Sequence, residues 1–450
     1  MQNSAKEKMI VEPASMVKVC AEAEVVVVGG GPGGIGAAVA AARSGAKTIL
    51  VERYGHLGGM ATGGLVILIP HMSDGSRHQQ IGGICQEWLD RLNTLGGAVG
   101  PKPEDLGSSD KALVAHWRRY FSAVVDGTVR LSVYVDPELL KCALNDLVTE
   151  AGVKLYLHSW GCRAIVENGC AKGVIFESKS GRQAILGQVL IDATGDGDLF
   201  ASAGVEFDGT LDRSLRSSQL ALVFRLGNVD FDKFADFKVR EPEKSSALLQ
   251  ELSQLAGFRM SPHPTPRNDV MWVNDWLIGY DVLNVEDLTQ VELTARTAML
   301  RVLPFLQKNV PGFENGFVLD TASQIGTRGS RRLMGEYIIT GQDLRTGPTH
   351  PDTIAIFPSI THNTSPEHPH VHVPYRAILP RKIEGFLAAG RSFSSDPVAN
   401  NTFNLIPHCV ALGQAAGTAA ALAVKNHVQP RQVNIVALQD CLRAQGVPLP

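Results

Sequence analysis

Glu24-Val25-Val26-Val27-Val28-Gly29-Gly30-Gly31-Pro32-Gly33-Gly34 is the stretch on which the reading of this chain turns. Four consecutive valines are typical of a parallel strand buried on both faces, and a glycine turn follows them at once. Gly29, Gly31 and Gly34 stand at GxGxxG spacing. From residue 33 to residue 44 small residues dominate, which predicts a helix able to lie close against the sheet. In such a strand, turn and helix the first glycine permits the tight turn and the second lets backbone N–H groups reach a pyrophosphate. The third allows close helix-to-strand packing, with the phosphate charge at the helix N-terminus. Residues 47–52 supply the next strand. Glu52 ends it about 20 residues after the glycines, where a carboxylate accepts hydrogen bonds from a ribose diol. The unit predicts a bound dinucleotide. An acid at that position argues against a 2′-phosphate and fits either FAD or NAD.

Outward from this unit, Asp136-Pro137-Glu138 places a capping residue, a proline and an acid at the start of a helix expected to run to residue 150. Alternating segments at 153–158, 163–167 and 174–178, split by Asn168-Gly169 and Ser180-Gly181, predict a β-meander. A buried strand at 189–193 leads into Thr194-Gly195-Asp196-Gly197-Asp198. Residues 204–359 change to polar, proline-dotted sequence with a long helix near 285–310. A strand at 386–389, a turn at Gly390-Arg391 and a small-residue helix over about 413–424 then return to the first style. The expected organisation is a tail at 1–22, a discontinuous cofactor domain at 23–75, 130–205 and 360–450, and a substrate or cap domain at 76–129 and 206–359. The fold class is α/β: a Rossmann-like domain with a parallel sheet and β-meander, plus a mixed α+β cap.

Apolar residues make up 44% and charged residues 19%, which excludes a disordered chain. A net charge of -3 gives no pull toward nucleic acid or an acidic membrane surface, so neither is an expected partner. The seven cysteines form no CxxC pair, which suits a reducing compartment without structural disulfides. With no long apolar run near the start, the expected location is cytoplasmic.

Leu57-Gly58-Gly59-Met60-Ala61-Thr62-Gly63-Gly64 is similar to the loop that runs along the ribityl chain in flavoproteins of the glutathione-reductase-like superfamily. Ile191-Asp192-Ala193-Thr194-Gly195-Asp196 resembles their second dinucleotide-side motif. Phe386-Leu387-Ala388-Ala389-Gly390-Arg391, followed by Gly413-Gln414-Ala415-Ala416-Gly417, resembles their closing flavin segment. With Gln324-Ile325-Gly326-Thr327-Arg328-Gly329-Ser330-Arg331-Arg332 and Val373-Pro374-Tyr375-Arg376, the whole of 24–424 resembles the broad FAD-dependent oxidoreductase family. The resemblance implies non-covalent FAD and hydride transfer between flavin N5 and a small organic substrate, as a dehydrogenase, oxidase or ene-reductase, with an electron partner left open. It implies cofactor contacts from Gly29, Gly31, Pro32, Gly33 and Gly34, from Glu52 and Arg53, and from Gly58, Gly59, Met60, Ala61 and Thr62. Further contacts are implied from Cys162, from Ala193, Thr194 and Gly195, from Gly390 and Arg391, and from Gln414, Ala415 and Ala416. One departure is Asn404, where such proteins often carry an arginine.

Arg328, Tyr375 and His408 are the candidates for substrate polarisation and proton transfer. Arginines at 328, 331 and 332 present charged forks that either anchor a carboxylate or carbonyl of a substrate or hold the protein's own loops. Tyr375 either donates a phenol proton or packs. His408 precedes the proposed flavin-facing helix, and Cys409 beside it reads as a small buried hydrophobe. His362, His368, His370 and His372 cluster, but prolines and the absence of a matching acid or cysteine set speak against a metal, and none is expected. The absence of paired cysteines and of a second central GxGxxG argues against a disulfide reductase and a built-in NAD(P)H domain. The alternatives are a flavin monooxygenase and a non-catalytic or tRNA-modifying flavoprotein.

Overall fold

The computed structural model describes residues 9–359 and 368–450. A five-stranded, all-parallel sheet is ordered Phe386–Ala388, Val189–Asp192, Val25–Val28, Thr48–Val51, Lys154–Tyr156. The valine strand takes the centre because every one of its side chains is buried on one face or the other. Crossing back from it, the helix Pro32–Arg43 starts at the glycine turn, and the helix Ile406–Lys425 packs beside it. Glycine makes that pairing possible: a Cβ on Gly413 would lie 2.0 Å from Gly33 O, and one on Gly417 2.0 Å from Ala37 O. The two backbones touch, with no room for side chains between them.

Over the other face lies a second sheet ordered Lys18–Glu22, Gly181–Leu186, Cys170–Ser178, Trp160–Glu167. Two expectations are corrected here. Residues 154–156, expected to open the meander, instead extend the parallel sheet, because Val51 and its neighbours pair with them. The 1–22 tail is not all appendage, since Lys18–Glu22 pairs in parallel with Gly181–Leu186.

The cap is an antiparallel sheet, Arg259–Pro264, Val270–Trp276, Phe224–Gly227 and Phe317–Thr321, backed by the helices Phe231–Arg240, Pro242–Ala256 and Val285–Asn309. Its own core gathers Phe224, Phe234, Met271, Leu306 and Phe313. Thr353–Phe357, expected in the cap, pairs with Val371–Pro374 and packs on the helix Ile406–Lys425, so it belongs with the cofactor layer. That helix is apolar enough by length and composition to cross a membrane, and 94% of its apolar window is buried inside the fold.

Candidate functional site

Four of the five parallel strands deliver a loop to one end of the sheet: Gly29 follows Val28, Glu52 follows Val51, Ala193 follows Asp192 and Ala389 follows Ala388. This carboxyl end is where open α/β sheets bind ligands. A channel of about 100 Å³ runs there, lined by Gly29, Gly31, Pro32, Gly33, Glu52, Arg53, Gly59 and Met60 on one side. Ala193, Thr194, Gly195, Thr327, Gly390 and Arg391 line the other.

The glycines do different work. Gly29 has φ +103°, and a Cβ there would sit 2.3 Å from Ala193 O. A Cβ on Gly34 would lie 1.6 Å from Gly29 O, so Gly34 serves helix-to-strand packing. Gly31, the residue before the helix, is open: its Cβ would meet nothing nearer than Gly59 Cα at 3.9 Å. The space beside Gly31 therefore fits a diphosphate at a helix N-terminus, with the second glycine loop opposite. Glu52 is 6% exposed. Its carboxylate accepts from Gly30 N at 2.5 Å and Tyr54 N at 2.8 Å, while burial pushes its pKa up.

Arg391 ties the far wall together. Its guanidinium donates to Asp196 Oδ1 at 2.6 Å and to the Thr327 hydroxyl, and Ser330 Oγ also donates to Asp196 at 2.6 Å. The Arg391 charge holds the Asp196 carboxyl below the usual range although burial pushes the other way. Behind it, buried Asp192 accepts from Thr194 N and Oγ1 and from Leu199 and Phe200 N, at 2.8 to 3.0 Å, fixing the turn that carries Thr194 and Gly195.

A second cavity of about 260 Å³ adjoins the channel and shares Met60, Thr327, Asn404 and Ile406 with it. Its ceiling is one face of a cap ribbon in which Arg259 pairs with Trp276, Ser261 with Asn274 and His263 with Trp272, and all six side chains line the cavity. The floor includes Val66, Leu68 and His71, and Arg216 and Arg328 close one end.

Several expected site residues lie elsewhere. Gln414, Ala415 and Ala416 are not at a helix start, because that helix begins at Ile406, two turns earlier; Gln414 Oε1 accepts from Ile84 N at 3.0 Å instead. His408 and Cys409 sit in the first turn. Cys409 lines the channel, with burial pushing its thiol up to about 12, whereas His408 is wholly buried among Phe357, Phe403 and His368 and lines neither cavity. Burial pushes His408 down to about 3, so it is a neutral packing residue. Tyr375 is buried away from both cavities and donates to Pro430 O at 2.9 Å. Cys162 is exposed, its thiol toward Trp160 O. Gly58, Ala61 and Thr62 shape the loop from behind: Gly58 N donates to Gly30 O and Thr62 Oγ1 to Leu57 O.

Arg328 alone of the catalytic candidates faces the second cavity, and Arg331 and Arg332 hold Asp198 and Asp208 respectively. His362 lies outside the described residues. Of its companions, His370 pairs with Asp74 at 2.9 Å, and no group of three or more potential metal ligands occurs among the described residues. Sequence reasoning missed His71, His263, Arg216, Arg259 and the two tryptophans. For Arg259, His263 and the tryptophans the signal was the alternation Arg259-x-Ser261-x-His263 and Trp272-x-Asn274-x-Trp276, a period of two that puts each set on one strand face; His71 and Arg216 lie outside it.

The sequence model of the FAD-dependent oxidoreductase family matches residues 24–442. No curated protein matches the chain significantly. Among solved structures it is similar to a geranylgeranyl bacteriochlorophyll reductase-like protein from Thermoplasma acidophilum, at 15% identity and TM-score 0.44, covering 95% of this chain and 82% of that one. It is also similar to a p-nitrophenol 4-monooxygenase from Pseudomonas putida, at 11% identity and TM-score 0.48, covering 95% and 89%. A flavin-dependent brominase matches at 13% identity and TM-score 0.47, covering 94% and 83%.

Proposed function

Because this chain belongs to the FAD-dependent oxidoreductase family and uses FAD, we propose that it holds the cofactor non-covalently in the glycine-lined channel and exchanges a hydride between FAD and a small organic molecule in the adjoining cavity. The observation that carries this reading is the continuity of the two spaces through Met60, Thr327, Asn404 and Ile406. A dinucleotide in the channel and a small molecule beneath the cap ribbon meet there. FAD supplies the two-electron chemistry. The chain's own residues bind, orient and exclude water.

Backbone N–H groups at the start of Pro32–Arg43 would hold the diphosphate, and the Glu52 carboxylate would accept from the ribose diol. The helix Ile406–Lys425 begins at the junction, so its N-terminal dipole favours negative charge there. Arg328 polarises the substrate. Its guanidinium is held by Gln219 O at 3.2 Å, Asp275 O at 3.2 Å and Asn274 Oδ1 at 3.4 Å. The accompanying proton is assigned to His71, which lines the cavity with Ser122 Oγ 3.3 Å from its ring nitrogens. It replaces Tyr375 and His408 in that role.

The test is an anaerobic screen of alcohols, amines and unsaturated acids against the purified yellow protein. Loss of the oxidised flavin band with stoichiometric product is expected. Bleaching by none of them, with oxygen-dependent hydroxylation of an aromatic substrate instead, contradicts hydride exchange with substrate and makes the protein a monooxygenase.

A further inference from the structure

We propose that the cavity beneath the cap ribbon takes an organic carboxylate on a planar body, and that Arg216, Arg259 and Arg328 grip its carboxylate. The proposal rests on reading this cavity as the substrate side of the cofactor channel. Among the described residues, three guanidiniums and no aspartate or glutamate line the space. Arg216 donates to Asn401 O at 2.6 Å and Asn404 Oδ1 at 2.7 Å, and Arg328 to Gln219 O, Asp275 O and Asn274 Oδ1, all of them neutral oxygens. Arg259 lies 4.5 Å from the Trp276 ring centre, and Arg328 5.5 Å from the same ring on its own approach.

Cations gathered without a counter-charge are costly. Burial pushes Arg216 down to about 10. Burial, with the charges of Arg216 and Arg259, pushes Arg328 down to about 9 against the raising pull of Asp275. Both stay charged at neutral pH, and an anion between them removes the repulsion. The nearest acid, Asp275, does not do this from within the cavity: it lies between Asn274 and Trp276 on the strand, on the face turned away, and accepts from Leu222 N at 2.9 Å. A guanidinium fork matches the two oxygens of a carboxylate.

The rest of the lining selects the body. Trp272, Trp276 and Phe121 supply flat apolar walls, and His263 stacks on Trp272 at 4.8 Å. Burial and the charges of Lys238 and Arg259 hold that imidazole neutral, and its Nε2 has no hydrogen-bond partner among the described residues. About 260 Å³ lies just below the range of organic-ligand pockets, which run from roughly 300 Å³ upward. The space suits one ring and a short acid arm. Asn404 also gains a role: it accepts from Arg216 and donates to Arg328 O at 2.8 Å, so the position that lacks an arginine orients one delivered from another segment.

The experiment is calorimetric titration of the purified protein with 3-phenylpropionate, its neutral amide and inorganic phosphate, with flavin content read on the same preparation. The carboxylate is expected to bind, the amide about 10- to 100-fold more weakly, as for loss of charge-assisted hydrogen bonds. Phosphate alone is expected to bind more weakly than the carboxylate. Arg259→Gln changes an exposed side chain and is expected to weaken the carboxylate about tenfold without changing the amide or the melting temperature. Arg328→Gln and Arg216→Gln are expected to act in the same direction. Equal binding of acid and amide, preference for phosphate, or an Arg259→Gln protein with unchanged carboxylate affinity overturns the proposal. A colourless protein that still prefers the carboxylate sinks the cofactor reading alone, and a yellow protein indifferent to charge sinks the anion cavity alone.

Discussion

Gly31 and Gly34 look equivalent in the glycine motif, yet they fail in different ways when given a side chain. A valine at Gly31 projects into the channel and meets no protein atom nearer than 3.9 Å at its Cβ. Gly31→Val is therefore expected to fold, with a melting temperature near the parent's, and to lose its flavin. Gly34→Val places a Cβ 1.6 Å from Gly29 O, so it is expected to destabilise the sheet itself and lower the yield of folded protein. Both variants losing flavin with unchanged melting would contradict this division of labour. Tyr375 shows the same principle at a catalytic candidate. Tyr375→Phe removes only the bond to Pro430 O, with an expected cost of about 1 kcal/mol and no change in turnover. A large loss of turnover at unchanged flavin content would return it to the active site. From the sequence the phenol was legible only as a group that either donates a proton or packs. Its direction was not, because only the tertiary packing of the 430 turn supplies its acceptor.

In the central strand of the cap, side-chain direction alternates so that Trp272, Asn274 and Trp276 face the cavity while Asp275 faces the core. Burial pushes that carboxyl from 3.8 up to about 7, against the lowering pull of Arg328. Its native pKa lies above its unfolded one. The native state thus holds the extra proton between those values, and stability falls as pH rises from about 4 to about 7, then levels. Asp275→Asn keeps an oxygen for Leu222 N and is expected to flatten that slope, gaining stability relative to the parent at pH 8. Thermal melts of both proteins from pH 5 to pH 8 check it, and parallel slopes would contradict it. The elements nearest the glycine motif were legible because strand, turn and helix each carry a strong local signal. The helix Ile406–Lys425 was read as starting near 413, where its small residues begin, whereas it starts at Ile406 with Pro407 in the first turn, where a proline costs no hydrogen bond. The cap ribbon escaped notice because prolines and histidines within Arg259–Pro264 mask an alternation that only its partner strand makes evident.

Across the whole molecule, segments more than three hundred residues apart meet at one end of one sheet. The glycine turn near residue 30, the 193–195 turn, Thr327 and the 390–409 segment line a single channel. That the chain returns to the cofactor layer after the cap was readable from the recurrence of strand, glycine and small-residue helix in its last third. The seam between the layers was not, since Thr353–Phe357 pairs with Val371–Pro374 by β-ladder geometry that composition does not reveal. The functional surface is likewise a product of assembly. The channel comes from loops on the parallel sheet and the cavity from a cap strand pair, and neither half is a site without the other. FAD held in the channel beside Gly31 is the assignment on which the others depend. Its most direct test is the flavin content of protein purified from cells with ample riboflavin, measured from the visible spectrum after denaturation and separation from the chain. FAD in an amount close to equimolar with the chain is expected, released without covalent attachment. A colourless protein that also takes up no added FAD would contradict it.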